Sequence, residues 1–154
     1  LDHSDHVFPY YSQGIAKLIE QGGLVSLGDH STFYGIGMVW ETMALASAME
    51  DALPALEAVT ISAAVMNGLD ASLGSLEAGK LADLIIVDGD PAKNIADLLN
   101  VEFTMVNGIL YQTSDMKQVW PEDSGTPLYR WWADQEPRLR SGTRRSGGVA
   151  AHVH

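Results

Sequence analysis

The chain alternates turn-forming residues with short β-branched runs between residues 74 and 111, and no other feature restricts its fold as much. The run LIIV at 84–87 has the length and composition of a buried strand. It ends before GDP at 89–91, because proline cannot donate to a strand ladder. Asn107-Gly108 stands between two apolar runs, which is a strong hairpin signal. The pattern predicts that residues 74–111 form strands of a small antiparallel sheet.

Apolar residues recur at helical spacing upstream of this region, which predicts helices around one short strand. The strand is LVSL at 24–27, and it leads directly into Gly28-Asp29-His30. A strand that lies between helices is typical of a β/α barrel or a doubly wound sheet, so we expect an α/β fold. The predicted helices are one capped by Ser12 and ended by Gly22-Gly23, one near Met38 to Glu50, one from Pro54 to Asn67-Gly68, and a short helix or helical turn at 91–100.

The composition is that of a globular domain that does not bind nucleic acid or span a membrane. The chain has 154 residues, of which 46% are hydrophobic and 19% charged, and its formal net charge is −11. Phosphate binding needs a basic surface, so nucleic acid is not an expected partner, and no apolar run has the length of a membrane span. Residues 138–154 contain four arginines and no acid, so we expect a disordered basic tail.

The sequence offers few histidines and no cysteines as zinc ligands. It contains no cysteine, which excludes disulfides and thiolate zinc sites. His3 and His6 have a spacing that can serve zinc, although a pair of solvated loop histidines is the simpler interpretation. His152 and His154 belong to the basic tail. The chain begins with Leu1 and shows no signal peptide, and we expect it to be a piece of a longer protein.

Three motifs follow one another between residues 60 and 111. They are TISAA at 60–64, GSLEAGKLADLIIVDGDP at 74–91 and VEFTMVNGILY at 101–111. Their succession resembles the C-terminal end of the amidohydrolase superfamily, in its imidazolonepropionase-like branch, over roughly residues 12–115. The segment at 24–46 is similar to the last barrel strand, the catalytic loop and the following helix of that superfamily. Its Gly-x-His resembles a sub-branch of secreted bacterial amidohydrolases that often carry a Tol-type β-propeller.

The resemblance implies an α/β fold that is the C-terminal part of a metal-dependent (β/α)₈ TIM-type barrel, followed by strands of a small β-sandwich. It divides the chain into the last part of the barrel at 1–73, the sandwich strands at 74–120 and a C-terminal extension at 121–154. A barrel of this type needs about 250 residues, so the N-terminal part of the same enzyme is an expected partner. The residues expected to be purely architectural are Gly74, Gly79, Lys80 and Asp83.

The resemblance also implies a hydrolase of carbon–nitrogen bonds, with cyclic amides or peptide-like molecules as substrates. A divalent metal, expected to be zinc, would be its cofactor in the complete protein. The family's His-x-His pair, its carboxylate or lysine and its two later histidines have no counterpart in this chain, so the chain alone is expected to be inactive. The alternative is a non-catalytic assembly or binding module derived from the same fold, without a complete metal site.

The residues after the predicted strand are the candidate catalytic residues. Most family members carry Gly-x-Asp here, with the Asp as metal ligand or proton shuttle, and the matched position in this chain is His30. The resemblance therefore assigns His30 to the metal pocket, since a neutral imidazole can bind zinc or carry a proton. Asp29 is the alternative active-site residue, or it orients a neighbouring ligand. Glu41 is a candidate for contacting substrate or a ligand, and the alternative is that it is a partly exposed helix acid. The corresponding alternative for His30 is a hydrogen-bonded loop histidine.

The resemblance carries two further implications about location and assembly. The sub-branch implies a secreted or periplasmic protein, with a cytoplasmic location left open. A homo-oligomer is expected, because part of a barrel exposes apolar helix faces and strand edges. The residues expected to cover a sandwich face or a subunit contact are Trp120, Trp131 and Trp132.

Overall fold

The computed structural model describes residues 8–30, 33 and 35–121, which form a helical unit followed by a four-stranded sheet. Within these residues, every helix is too short or too polar to cross a membrane. The His3 and His6 pair, the basic tail, Trp131 and Trp132 lie outside the described residues. The elements in chain order are α1 (Phe8–Glu20), α2 (Ile36–Ala46), α3 (Leu53–Ala58), α4 (Ile61–Met66), β1 (Leu84–Val87), a 3₁₀ helix (Ile95–Leu99), β2 (Val101–Val106), β3 (Ile109–Gln112) and β4 (Gln118–Trp120).

The core of the helical unit lies around α2, which contacts α1, α3 and the 3₁₀ helix. Leu45 is its largest fully buried apolar side chain, at 2% exposure, and it is surrounded by small residues that let the helix backbones approach closely. Ile95 of the 3₁₀ helix packs against the same cluster, so the connection between β1 and β2 attaches the sheet to the helices. The other buried members of the cluster are Ala16, Ala46, Ala55 and Ala58.

The sheet confirms the prediction for residues 74–111. Its strands pair in the order β1-β2-β3-β4, and every neighbouring pair is antiparallel. Asn107 and Gly108 form the two-residue turn between β2 and β3 with φ values of 50° and 77°. Positive φ at both central residues is the geometry that favours Asn-Gly in tight hairpins. β4 lies within the range 74–120 that the resemblance implied for sandwich strands, although no motif marked it. The described strands make one sheet, so the second layer of a β-sandwich stays a prediction.

All of the predicted helices have different bounds in the structure: α2 ends at Ala46 and not at Glu50, and the helix predicted at 91–100 is confined to Ile95–Leu99. The first helix begins at Phe8, so the prediction that Ser12 is its cap was wrong, and Ser12 is buried within α1. The predicted helix from Pro54 is interrupted at Thr60, whose φ of −122° and ψ of −98° are not helical. The Thr60 hydroxyl donates to the Leu56 carbonyl oxygen at 2.7 Å, which satisfies a backbone acceptor at the end of α3.

Residues 24–27 do not form the predicted strand in the described structure. The segment from 23 to 30 is neither helix nor strand, and the sheet contains only β1 to β4. A strand needs a hydrogen-bonded neighbour, and no described strand lies beside this segment. Backbone hydrogen bonds join it to the helical unit, from the Gly23 N–H to the Leu18 carbonyl oxygen at 2.9 Å and from the Leu27 N–H to the Ala58 carbonyl oxygen at 3.1 Å. The division of the chain at residue 73 stays a prediction.

Candidate active site

Asp29 and His30 lie at the end of the segment that links α1 to α2. Asp29 is half-buried and His30 is exposed, which places the two neighbouring side chains in different surroundings. Gly28 has no φ in the left-handed region, and a Cβ at this position would meet nothing within 4 Å. The described backbone therefore does not require a glycine at this position.

Glu41 lies in the second turn of α2 and is half-buried. The helix that carries it is fixed by Thr42 and Leu45, which are 1% and 2% exposed. The Thr42 hydroxyl donates to the Met38 carbonyl oxygen at 2.7 Å, so this buried polar group is satisfied within the helix. Glu41 is consequently presented by a rigid element, as a substrate-contacting or ligand-contacting residue would need to be.

The described residues do not make up a complete metal site. Residues 8–30, 33 and 35–121 contain no group of three or more His, Asp or Glu side chains that could hold a metal ion. Catalytic zinc sites in proteins use three protein ligands. Asp29, His30 and Glu41 therefore do not fit a metal by themselves, and a site that included His30 would need ligands from other parts of the protein.

The structure reveals an aromatic pair beside these residues that the sequence reasoning missed. The ring centroids of Phe33 and Trp40 are 5.9 Å apart, and the rings are inclined by 60°. Phe33 lies just before the first turn of α2 and Trp40 lies in the second turn, so the pair bridges the loop and the helix. The seven-residue spacing of the two aromatic residues was the only signal in the sequence.

The GSLEAGK segment forms a self-contained cluster of polar contacts. The Lys80 ammonium donates to the Ser75 hydroxyl and lies 3.3 Å from a Glu77 carboxylate oxygen. The Ser75 hydroxyl hydrogen-bonds the Glu77 carboxylate, and this bond, followed by the contact with Lys80, lowers the pKa of Glu77. At Gly74, where φ is +90°, a Cβ would lie 2.7 Å from that of Ala64. These contacts support an architectural role for Gly74 and Lys80.

A cleft of about 550 Å³ separates α4 from β1. Its walls are mostly apolar, and none of Asp29, His30 and Glu41 lines it. Ser75 and Asp83 are among the polar residues at its surface. The cleft and the candidate catalytic residues are therefore separate features of the described structure. The apolar residues that line the cleft are Val59, Ala63, Ala64, Leu69, Leu73, Leu76, Leu84 and Ile85.

Solved structures of a dipeptidase and of an amidohydrolase are similar to this chain. A crystal structure of a Xaa-Pro dipeptidase with bound methionine is 31% identical to this chain with a TM-score of 0.59, covering 66% of this chain and 25% of that protein. A crystal structure of an amidohydrolase from Thermotoga maritima MSB8 is 28% identical with a TM-score of 0.55, covering 64% of this chain and 25% of that protein.

The sequence model described as the amidohydrolase family matches residues 10–110. The chain therefore belongs to the amidohydrolase family, a family of the TIM-barrel class, which confirms the prediction from its motifs. A curated relative, a 5-methylthioadenosine/S-adenosylhomocysteine deaminase from Thermodesulfovibrio yellowstonii (strain ATCC 51303 / DSM 11347 / YP87), is 26% identical over 144 residues. The match covers 79% of this chain and 33% of that protein, so the chain spans about a third of the curated relative. The sub-branch with a β-propeller stays a prediction.

Proposed function

We propose that the chain is the C-terminal part of a metal-dependent hydrolase that cleaves carbon–nitrogen bonds in cyclic amides or peptide-like substrates. The observation that carries this proposal is the family match over residues 10–110. The names of the two relatives, a dipeptidase and a deaminase, both describe reactions at carbon–nitrogen bonds. The dipeptidase is the more similar of the two by identity, which favours peptide-like substrates.

We place the chemistry of this chain at His30. The exposed imidazole follows the segment held by the Leu27 to Ala58 hydrogen bond, so its backbone is attached to the helical unit while its side chain is accessible. A neutral imidazole can hold a divalent metal, zinc in this proposal, or accept a proton near neutral pH. The half-buried Asp29 is proposed to orient a neighbouring group, and the remaining metal ligands would come from other parts of the enzyme.

The test is a measurement on the complete enzyme that contains this chain. Elemental analysis gives the bound divalent metal, and hydrolysis is measured with Ala-Pro, with 5-methylhydantoin and with 5-methylthioadenosine. We expect stoichiometric metal and turnover of the dipeptide or the cyclic amide, with the activity lost on chelation and restored by zinc. A complete protein that holds no metal and hydrolyses none of the three compounds would contradict the proposal.

A non-catalytic assembly or binding module is the second candidate function. It is favoured by the lack of a three-ligand group among residues 8–30, 33 and 35–121. The exposed apolar cleft between α4 and β1 would then be the surface that binds the partner. Calorimetric titration of zinc into the complete protein separates the two candidates, since a module of this kind would bind no zinc stoichiometrically.

The four-stranded sheet has a proposed place in the assembly of the complete enzyme. We propose that the sheet is one layer of a β-sandwich whose other strands come from the N-terminal part of the enzyme. The half-exposed Trp120 of β4 would then lie at a sandwich face or a subunit contact of a homo-oligomer. A secreted or periplasmic location is proposed from the resemblance of the Gly28–His30 segment alone. Fractionation of cells that express the complete enzyme tests the location.

A further inference from the structure

Three apolar side chains form an exposed patch at the start of α2. Phe33, Ile36 and Trp40 are 61%, 40% and 49% exposed, and we call these three residues the aromatic patch. The 5.9 Å separation of the two rings lies within the range of favourable aromatic pairs. Contiguous apolar groups that stay in contact with water are typical of binding surfaces.

The aromatic patch is held in place although it is exposed. The Gly37 N–H donates to the Phe33 carbonyl oxygen at 3.0 Å, so Phe33 belongs to the hydrogen-bonded start of the helix. At 3.6 residues per turn, Trp40 lies on the face of α2 opposite to the buried Thr42 and Leu45. The buried face anchors the helix that carries Trp40, and the hydrogen bond from Gly37 joins Phe33 to the same helix.

The extent of the aromatic patch is too small for a second helix to pack along it. The residues that follow Trp40 on the same helix face are Met43, Ala44 and Ser47; Met43 and Ala44 are half-buried and Ser47 is polar, so the exposed apolar surface stops after one turn. A helix–helix contact needs apolar residues that continue over several turns. The aromatic patch is closer in size to a single side group of a small molecule.

We propose that the aromatic patch binds an aromatic or large aliphatic side group of the substrate, next to the carbon–nitrogen bond that is cleaved. This inference rests on the proposed function. Phe33 follows His30 by three residues, and active sites in barrels are built from the loops between strands and the following helices. Aromatic walls with few polar groups are typical of small-molecule sites.

The test compares two substrates that differ only in the side group. In the complete enzyme, kcat/KM is measured for Phe-Pro and Ala-Pro, and in parallel for 5-benzylhydantoin and 5-methylhydantoin. We expect Trp40→Leu and Phe33→Leu each to lower the ratio of kcat/KM for the large substrate to kcat/KM for the small one by about tenfold. This is the scale of apolar side-group discrimination in enzyme pockets. Tyr11→Leu is the matched control, because Tyr11 is a 68% exposed aromatic residue on α1 outside the patch.

The possible outcomes separate this inference from the function on which it rests. If the wild-type enzyme discriminates the two side groups and both substitutions leave the ratio within twofold, the inference is overturned and the hydrolase proposal stands. A fall in the thermal midpoint with an unchanged ratio overturns it as well, since another part of the enzyme would then cover the aromatic patch. A complete protein that holds no metal and hydrolyses none of the four compounds would overturn the proposed function together with the inference.

Discussion

Asp83 and Asn107 are joined by a hydrogen bond that ties the entry of β1 to the turn of the β2–β3 hairpin. The Asn107 N–H donates to Asp83 Oδ1 at 2.6 Å, across 24 residues of sequence. The next residue, Gly108, donates its N–H to the Ala82 carbonyl oxygen at 3.0 Å. Two consecutive residues before β1 therefore hold the two turn residues, and the register of the sheet depends on them.

Removing the Asp83 carboxylate is expected to loosen the hairpin. Asp83→Ala should lower the free energy of unfolding by about 1 kcal/mol, which is below the range of about 1.5–3 kcal/mol for bonds to charged groups because the pair is exposed. Asp83→Asn keeps an acceptor oxygen and should cost less than half of that. Chemical denaturation of the chain measures both, with Asp70→Ala as an exposed control. Equal stability of Asp83→Ala and wild type would show that the hydrogen bond does not support the sheet.

Gly89 is expected to tolerate no side chain. Its φ is +133°, and a Cβ would collide with the Asp97 carboxylate, which accepts the Asp90 N–H at 2.8 Å. Gly89→Ala should therefore destabilise the chain by about 1–3 kcal/mol through strain and the displaced hydrogen bond. Gly14→Ala is the control, because Gly14 lies within α1 with nothing within 4 Å of a Cβ, and it should stabilise by about 0.5–1 kcal/mol. Similar effects of the two substitutions in thermal unfolding would contradict this account.

The elements that the sequence predicted correctly are those set by local chemistry. The LIIV strand, its end at GDP and the Asn107-Gly108 turn depend on β-branched residues, proline and positive φ, which short stretches of sequence reveal. The interruption at Thr60 depends on contacts that local sequence does not show. Gly74 approaches Ile61 and Ala64 closely at this point, although these residues are ten or more positions apart in the sequence.

The candidate site was less accessible to sequence reasoning. The family motif identified His30 and Asp29, but the strand before them needs a hydrogen-bonded neighbour that the described residues do not supply. Metal ligands are brought together by the tertiary fold of a whole barrel, so a local pattern cannot reveal the complete set. The Phe33–Trp40 pair was missed because a spacing of seven residues does not by itself reveal a contact between two rings.

The Ser75–Glu77–Lys80 cluster should make the stability of the chain depend on pH. Its hydrogen bonds lower the pKa of Glu77 below the ordinary value of 4.5. A carboxyl group with a lowered pKa in the folded state stabilises the fold above its unfolded value, and that contribution is lost as the pH falls through the folded-state value. Thermal unfolding should therefore show a higher midpoint temperature for wild type than for Glu77→Gln at neutral pH. The difference between the two midpoints should shrink below pH 4.5. Lys80→Met should weaken the same dependence, and a pH-independent difference would contradict the prediction.

The chain is expected to associate with itself at high concentration. β1 is an edge strand of the sheet, and its Ile85 and Ile86 are 50% and 42% exposed. Leu24, beside the helices, is also half-exposed. Exposed apolar edges favour association, while the net charge of −11 opposes it, so salt should promote association by screening. Light scattering over a concentration series measures the effect, and Ile86→Lys should reduce it. A monomer at all concentrations that binds no hydrophobic dye would be incompatible with this expectation.

The central claim is that this chain contributes His30 to the metal pocket of an amidohydrolase. The most direct measurement is the bound metal and the turnover of the complete enzyme after His30→Ala and, separately, Asp29→Ala. We predict that His30→Ala lowers turnover by about 100-fold or more, as expected for loss of a ligand or proton carrier, and also lowers the metal content. Asp29→Ala should lower turnover by about tenfold through a misoriented neighbour. Wild-type metal content and turnover in His30→Ala, together with an inactive Asp29→Ala, would contradict the claim and assign the site to Asp29.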